Sequence, residues 1–344
     1  MHADVQGLMQ GDLGDWLAEQ STMRDEAREK AYSRWTWGAA FLLPALAFLW
    51  FIPYSLGDFK FWISAFAIGG VGAWGYVPIS EAKKAIKVGI NSAIARSLGI
   101  EYSHDVEPGQ EFEACCQYGL VPSFDRSDFE DRWFGYLEGH GFELYEGHLE
   151  ERRGSGKNRR WVTVFRGAVI NMEFGRPFHS TTLLQRAGKH KKWFGLGGRK
   201  DSVKFDGHEL AYVDQVHPAF EDVFEVWSDD QVEARVLVHP TYVEHLLALE
   251  KAFNGEAVRA LFTKGAVVVA VESGNLFESG ALNAEGDEER VAEAAAQFGA
   301  LAELALAINQ NERGRVMVDR EREITTGDRR RVRRQAGGFG RKNA

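Results

Sequence analysis

Residues 35–79 read WTWGAAFLLPALAFLWFIPY (35–54), SLGDFK (55–60) and FWISAFAIGGVGAWGYVPI (61–79). Two apolar runs of 20 and 19 residues, free of charged side chains and only six residues apart, form the pattern of a helical hairpin across a bilayer. At about 1.5 Å per helical residue each run spans roughly 30 Å, the thickness of a hydrocarbon core. Aromatic residues crowd the ends: Trp35, Trp37, Trp50 and Tyr54 on the first run, Phe61, Trp62, Trp74 and Tyr76 on the second. Amphipathic rings collect in this way at headgroup level.

A buried hairpin in a soluble core is the alternative, and the average hydropathy of the whole chain lies on the polar side. With 26% charged residues overall, two adjacent charge-free windows nonetheless favour the bilayer. One charge at a membrane helix centre costs about 2.5–3.5 kcal/mol. Pro44 and Pro53 are tolerable there, because neighbouring groups satisfy the freed carbonyls, and a kink is expected near Pro44.

The basic residues set the orientation. Arg24, Arg28, Lys30 and Arg34 precede the first run and Lys83, Lys84, Lys87 and Arg96 follow the second, whereas the connection offers Lys60 beside Asp58. Both termini are therefore expected in the cytoplasm, which implies an inner-membrane location in a bacterium. No cleavable signal sequence is expected, so the hairpin should remain on the chain. Ala65, Gly69 and Ala73 recur every four residues, with Gly72 and Gly75 on a neighbouring stripe. That small face is read as the seam against the first helix, with a homo-oligomer contact as the alternative. The absence of Asp, Glu, Lys, Arg and His from both runs weighs against a conduction pore.

Beyond Glu81 the composition is that of a soluble α+β domain. Ala85, Ile86, Ile90, Ala93, Ile94 and Leu98 recur at helical spacing and end at Gly99, predicting an amphipathic helix leaving the membrane. Alternating runs broken by glycine predict an antiparallel meander over 132–173, with further strands at 180–185, 209–213 and 224–227. Ser228 and Gln231 have capping-box spacing before a helix, and Pro240 suits the first turn of the next. A hairpin should turn at Lys264 and Gly265, and an alanine-rich helix should cover 287–311. The chain thus divides into a partly helical N-terminal segment (1–34), the hairpin (35–79), a cytoplasmic domain of mostly antiparallel sheet with flanking helices (80–312), and a basic tail (313–344) expected to be disordered.

The block FEDVFEVWSDDQVEARVLVHPTYVEHL, with VFRGAVI upstream and NLFE downstream, resembles an uncharacterised bacterial membrane-protein family. That family is a domain of unknown function preceded by two N-terminal transmembrane helices, and the resemblance runs from about Trp35 to Ser279. It implies architecture and location but no catalytic residue. Where the family pattern leads one to expect a hydroxyl residue before Pro240, this chain has His239.

No phosphate-binding glycine loop, dinucleotide fingerprint, zinc-protease motif or nucleophile elbow is present, and no catalytic, cofactor or metal residue is assigned. His239 and His245, six apart on a helix, face different sides. Asp229, Asp230, Glu233 and Arg235 form a dense charged cluster that could supply acid and base groups; capping and surface pairing are the plainer reading. Cys115 and Cys116 are read as buried free thiols in a reducing compartment. Two basic segments are candidate interaction sites: the glycine-rich loop with Lys191, Lys192 and Trp193, and the tail with Arg330, Arg331, Arg333 and Arg334. Residues 329–344 carry +7, so the remainder of a chain of net charge -9 carries -16. Such a tail attracts anionic lipid. Nucleic acid is disfavoured, because no reader motif or aromatic interleaving accompanies the charge.

The resulting expectation is a membrane-anchored cytoplasmic interaction module, without cofactor, that binds a protein or lipid at the inner face. A membrane-associated enzyme and a small oligomeric channel or transport subunit are the alternatives.

Overall fold

The computed structural model describes residues 12–51, 59–137, 139–175, 177–187, 200–205, 207–214, 223–277 and 287–309. Two helices of 40 residues each, α1 (Asp12–Phe51) and α2 (Phe59–Leu98), pack antiparallel. Trp35 lies against Gly75 and Gly38 against Val71, and Trp50 Nε1 donates to Ser64 Oγ at 3.3 Å. Each helix is about 60 Å long, twice the length of its uncharged part. The N-terminal segment is therefore helical from Asp12 and continuous with the apolar run, and α1 passes through Pro44 as one helix. The amphipathic stretch after Glu81 is likewise the second half of α2, which continues through Pro78.

The two halves of the hairpin differ. Phe41 and Phe48 are each 72% exposed and Phe66 is 78% exposed, with Trp37, Trp50, Phe61 and Trp62 similarly bare. From Ala82 onward α2 is buried along one face by Ile86, Ile90, Ile94 and Leu98. Among the described residues, α2 is the helix long and apolar enough to cross a membrane. The small-residue seam is corrected. Gly75 meets the Trp35 ring, and Trp35 Nε1 donates to the Gly72 carbonyl at 3.2 Å, whereas nothing approaches the position of a side chain at Gly69 or Gly72. The bulk of Val71 and Trp35 sets the contact, and the Ala65–Gly69–Ala73 stripe faces outward.

Gly99, at φ +71°, ends α2, with Ile100 N donating back to the Ala95 carbonyl. The chain then builds β1 (Glu101–Asp105), α3 (Gln110–Gln117), β2 (Arg126–Leu137), β3 (His140–Arg153), β4 (Arg160–Glu173), β5 (Thr182–Arg186), β6 (Ser202–Phe205), β7 (His208–Tyr212), β8 (Phe224–Ser228), α4 (Gln231–Leu237), α5 (Pro240–Ala252), β9 (Ala257–Thr263), β10 (Ala266–Glu272) and α6 (Asp287–Asn309). The strands form one ten-stranded sheet in the order β1-β2-β3-β4-β10-β9-β5-β8-β7-β6, and every pairing is antiparallel.

Period-two alternation sends neighbours to opposite faces, and both faces are buried. Leu144, Ile170, Leu184, Val226 and Phe262 meet α2, α4, α5 and α6 on one side; Tyr145, Val169, Leu183, Trp227 and Leu261 meet α3 on the other. The α2 segment runs along the strands. Lys87 touches Glu130 and Asp131 on β2, and Ile100, just past the helix, abuts Gly135 further along the same strand. The helix thus enters the sheet at the Glu130 end and leaves it at the Gly135 end.

Candidate functional site

At the Gly135 end, on the α3 face, the sheet carries an open cleft of about 770 Å³. Phe112 and Cys115 anchor α3 in the second core, leaving Glu111, Glu113 and Gln117 along one wall. The floor includes Asn171 and Val268, and the rim includes His179, Thr181, His208 and Lys264. Lys264 and Gly265 form the expected β9–β10 turn, with φ of +50° and +80°. Glu111 is held in place: its Oε1 accepts from Gly109 N at 2.7 Å and from the Tyr145 hydroxyl at 3.1 Å. Burial, together with the Glu111 carboxylate, pushes the Tyr145 phenol far above its ordinary range. Asn171 Oδ1 is buried and has no hydrogen-bond partner among the described residues. A cleft lined by carboxylates, amides, imidazoles and an ammonium suits a small polar ligand.

The charged cluster expected at 229–235 is assembled but spent on the backbone. Asp230 caps α4, accepting from Val232 N at 2.9 Å and Glu233 N at 3.0 Å, so the cap is Asp230 and not Ser228. Ser228 Oγ instead accepts from Asp230 N. Asp229 accepts from Thr181 N at 2.8 Å, and Glu233 accepts from Ser180 N at 2.6 Å and His179 N at 3.0 Å. Partial burial raises the Glu233 pKa, but the Ser180 and His179 donors outweigh it and the carboxyl lies below its usual range. Arg235 reaches the Asp214 carbonyl at 3.1 Å. Asp229 and Glu233 fasten the segment 179–181, one rim of the cleft, to the start of α4.

On the opposite face, at the Glu130 end, lies a cluster that sequence reading missed. Lys87 is 6% exposed; its Nζ lies 2.7 Å from Asp131 Oδ2 and 3.0 Å from Glu130 Oε2. The Tyr102 hydroxyl donates to Asp131 Oδ1 at 2.6 Å, and His104 Nδ1 lies 3.4 Å from the same atom. Asp131 sits at φ +59° where the β2–β3 register shifts, a bulge that turns its carboxylate into the protein. Burial pushes the Asp131 pKa up, while Lys87 and Tyr102 oppose the shift. His104, Glu130 and Asp131 offer ligand-type atoms within 4.8 Å of one another, but the Lys87 ammonium already supplies the cation there.

One pairing step along, Glu146 faces Glu130 across the strands. It accepts from Arg166 Nε at 3.2 Å and Leu276 N at 2.9 Å. Burial raises its pKa to about 7 against those two donors. No spacing rule could have joined Lys87 to Asp131; the available signal was a lysine on the apolar stripe of α2.

His239 caps α5, its Nδ1 accepting from Tyr242 N at 3.3 Å, and His245 faces Glu303 at 3.8 Å, so the two imidazoles do not converge. Cys115 is buried as expected, but Cys116 is exposed. Lys191, Lys192 and Trp193, and the tail arginines Arg330, Arg331, Arg333 and Arg334, lie outside the described residues.

Residues 163–310 match the model of a family described as "Protein of unknown function (DUF3137)". The match begins within β4 and covers the remaining strands with α4, α5 and α6; the helical hairpin and β1–β3 lie outside it, so the resemblance is narrower than the 35–279 expected. No curated protein matches the chain. Among solved structures, the mycobacterial trehalose monomycolate transport factor A, TtfA, is similar at 13% identity, covering 62% of this chain and 95% of that chain with a TM-score of 0.31. At that level the likeness carries no argument about function.

Proposed function

We propose that this chain is a membrane-anchored binding module in which α1 and α2 cross the bacterial inner membrane as a hairpin, with both chain ends in the cytoplasm. The sheet domain then presents the α3 cleft to a partner from the aqueous phase. The observation that carries the reading is the contrast along the hairpin. Its uncharged half leaves Phe41, Phe48, Trp50, Phe51, Phe59, Phe61, Trp62 and Phe66 bare, while the other half of α2 is seated in the domain core. A contiguous apolar surface of this kind marks a membrane or protein interface, since covering each such side chain is worth about 1.5–3 kcal/mol.

Charge placement supports the orientation. Arg34 lies over Trp74 at 5.5 Å, and Lys83 over Tyr76 at 5.8 Å, at the boundary between the bare and seated halves. Cations and aromatic rings at this level fit the cytoplasmic interface. Because α2 enters the sheet at the Glu130 end, the cleft at the Gly135 end lies on the side away from the bilayer. A soluble protein or small polar ligand therefore suits the cleft better than lipid.

Photocrosslinking tests the binding role. A photoreactive phenylalanine at Gln117, in the full chain in native membranes, should yield a defined adduct that disappears when Thr181→Trp fills the cleft. A probe at Glu244 on α5 should not yield that adduct. Identical adducts from both positions, or none from Gln117, would contradict the cleft as the binding site.

A further inference from the structure

The β3–β4 hairpin extends past the rest of the sheet at the end where α2 enters. Its tip carries Arg152, Arg153, Arg159 and Arg160, all exposed, with Trp161 41% exposed beside them. Arg153 pairs with Glu151 at 2.7 Å, and Arg126 on β2 pairs with Glu150 while stacking over Trp161 at 4.2 Å. Among the described residues, no carboxylate pairs with the side chains of Arg152, Arg159 or Arg160. Three unpaired guanidiniums and a half-exposed indole on one projecting turn need a partner that is anionic and broad.

The geometry supplies a surface. Glu146 on β3 is level with Glu130 and hence with Lys87 of α2. From Lys87 back to Ile79, where the apolar run ends, is eight helical residues, about 12 Å. From Glu146 forward to Arg153 is seven strand residues, about 23 Å in the same direction. Even at 45° to the helix the strand advances about 16 Å, so the tip reaches the level at which α2 leaves the apolar layer.

We infer that the β3–β4 tip is a second membrane contact, docking Arg152, Arg159, Arg160 and Trp161 on the anionic phospholipid headgroups beside the hairpin that anchors the same chain. The inference rests on the proposed membrane crossing. Tethering favours the contact, because the anchor removes the entropy cost of bringing tip and surface together. Docking would clamp the sheet against the bilayer at two points and hold the cleft facing outward. Each arginine near an anionic surface should strengthen docking by about fivefold.

The test uses the full chain, with Cys116→Ser, reconstituted in vesicles of phosphatidylcholine alone or with phosphatidylglycerol. A fluorophore on Ser155→Cys reports quenching by headgroup-region nitroxide lipid, and Lys60→Cys in parallel reports whether the helical hairpin has inserted. The expected result is quenching at position 155 in phosphatidylglycerol vesicles only. It should be lost in R152Q/R159Q/R160Q, kept in R152K/R159K/R160K, and accompanied by an unchanged unfolding transition. Absence of quenching with Lys60→Cys showing insertion would overturn the tip contact and leave the anchor standing. Failure of insertion would remove both. Arginine-dependent binding of the tip to RNA or an acidic protein, without any response to phosphatidylglycerol, would also overturn it.

Discussion

Lys87 of α2 and Asp131 of β2 form a buried ion pair, 2.7 Å between Nζ and Oδ2, at the point where the long helix first meets the sheet. The lysine is 6% exposed and the aspartate 0%, and Glu130, Tyr102 and His104 complete the shell. The pair sets where along α2 the domain is fastened, because a one-turn slide of about 5.4 Å would carry the ammonium out of its acidic socket.

Breaking this pair from one side should be costly. Lys87→Met or Asp131→Asn leaves a buried group without its counter-charge, and a loss of about 3–5 kcal/mol is expected in denaturant unfolding of the detergent-solubilised chain. The double variant should recover a large part of that loss, because both desolvation penalties vanish together. Additive losses would show that the two residues do not act as a pair.

Glu146 makes stability depend on pH. Its carboxyl titrates at about 7 in the fold against an ordinary value of 4.5, so the folded state holds the proton more tightly than the unfolded chain. The stability associated with the protonated form is fully present below about pH 4.5 and is lost as pH rises to 7, amounting to about 3 kcal/mol. Glu146→Gln should flatten this part of the profile without removing the acceptor for Leu276 N. A slope unchanged by the substitution would assign the effect elsewhere.

The rim of the cleft depends on acids that accept from backbone amides. Asp230→Ala should cost about 1 kcal/mol through the lost α4 cap. Glu233→Gln should loosen the segment 179–181, seen as faster amide hydrogen exchange at His179 and Ser180 with little change at Tyr242. Equal protection in both proteins would show that Glu233 does not hold that rim.

Within the hairpin, glycine positions separate by contact. A side chain at Gly75 would collide with the Trp35 ring, whereas Gly69 faces open space. Gly75→Leu should pry α1 from α2 and lower the melting temperature in detergent; Gly69→Leu should leave it nearly unchanged. Equal sensitivity at Gly69 would place another surface against the outward stripe.

Much of this fold is written in local pattern. The β9–β10 turn at Lys264 and Gly265, the valine-rich β10 and the proline-started α5 each carry their own signal, and the uncharged halves of α1 and α2 stand out against a charged chain. Other elements have no such signal. Strand β1 is Glu-Tyr-Ser-His-Asp and becomes a strand because β2 pairs with it; α3 has eight residues, too few for a periodic stripe to declare itself. Continuity of α2 through Pro78 was hidden because the membrane-like run and the amphipathic run follow different patterns on one helix. The charged cluster at 229–235 was legible as a group, but its use was decided by the backbone donors of 179–181, distant in sequence. The clasp at Lys87 was illegible for the same reason: its partners come from strands whose register only the folded sheet defines.

In the proposed arrangement the domain hangs from a hairpin that crosses the membrane. Single cysteines at Ser33, Lys60 and Ser127 in a Cys116→Ser background, probed in intact cells and inverted vesicles with a membrane-impermeant maleimide, test it directly. A hairpin that crosses should leave Lys60→Cys labelled only from the outer face and the other two only from the cytoplasmic face. Labelling of all three from the same face would show that the hairpin does not cross, and the anchored-module account would fall.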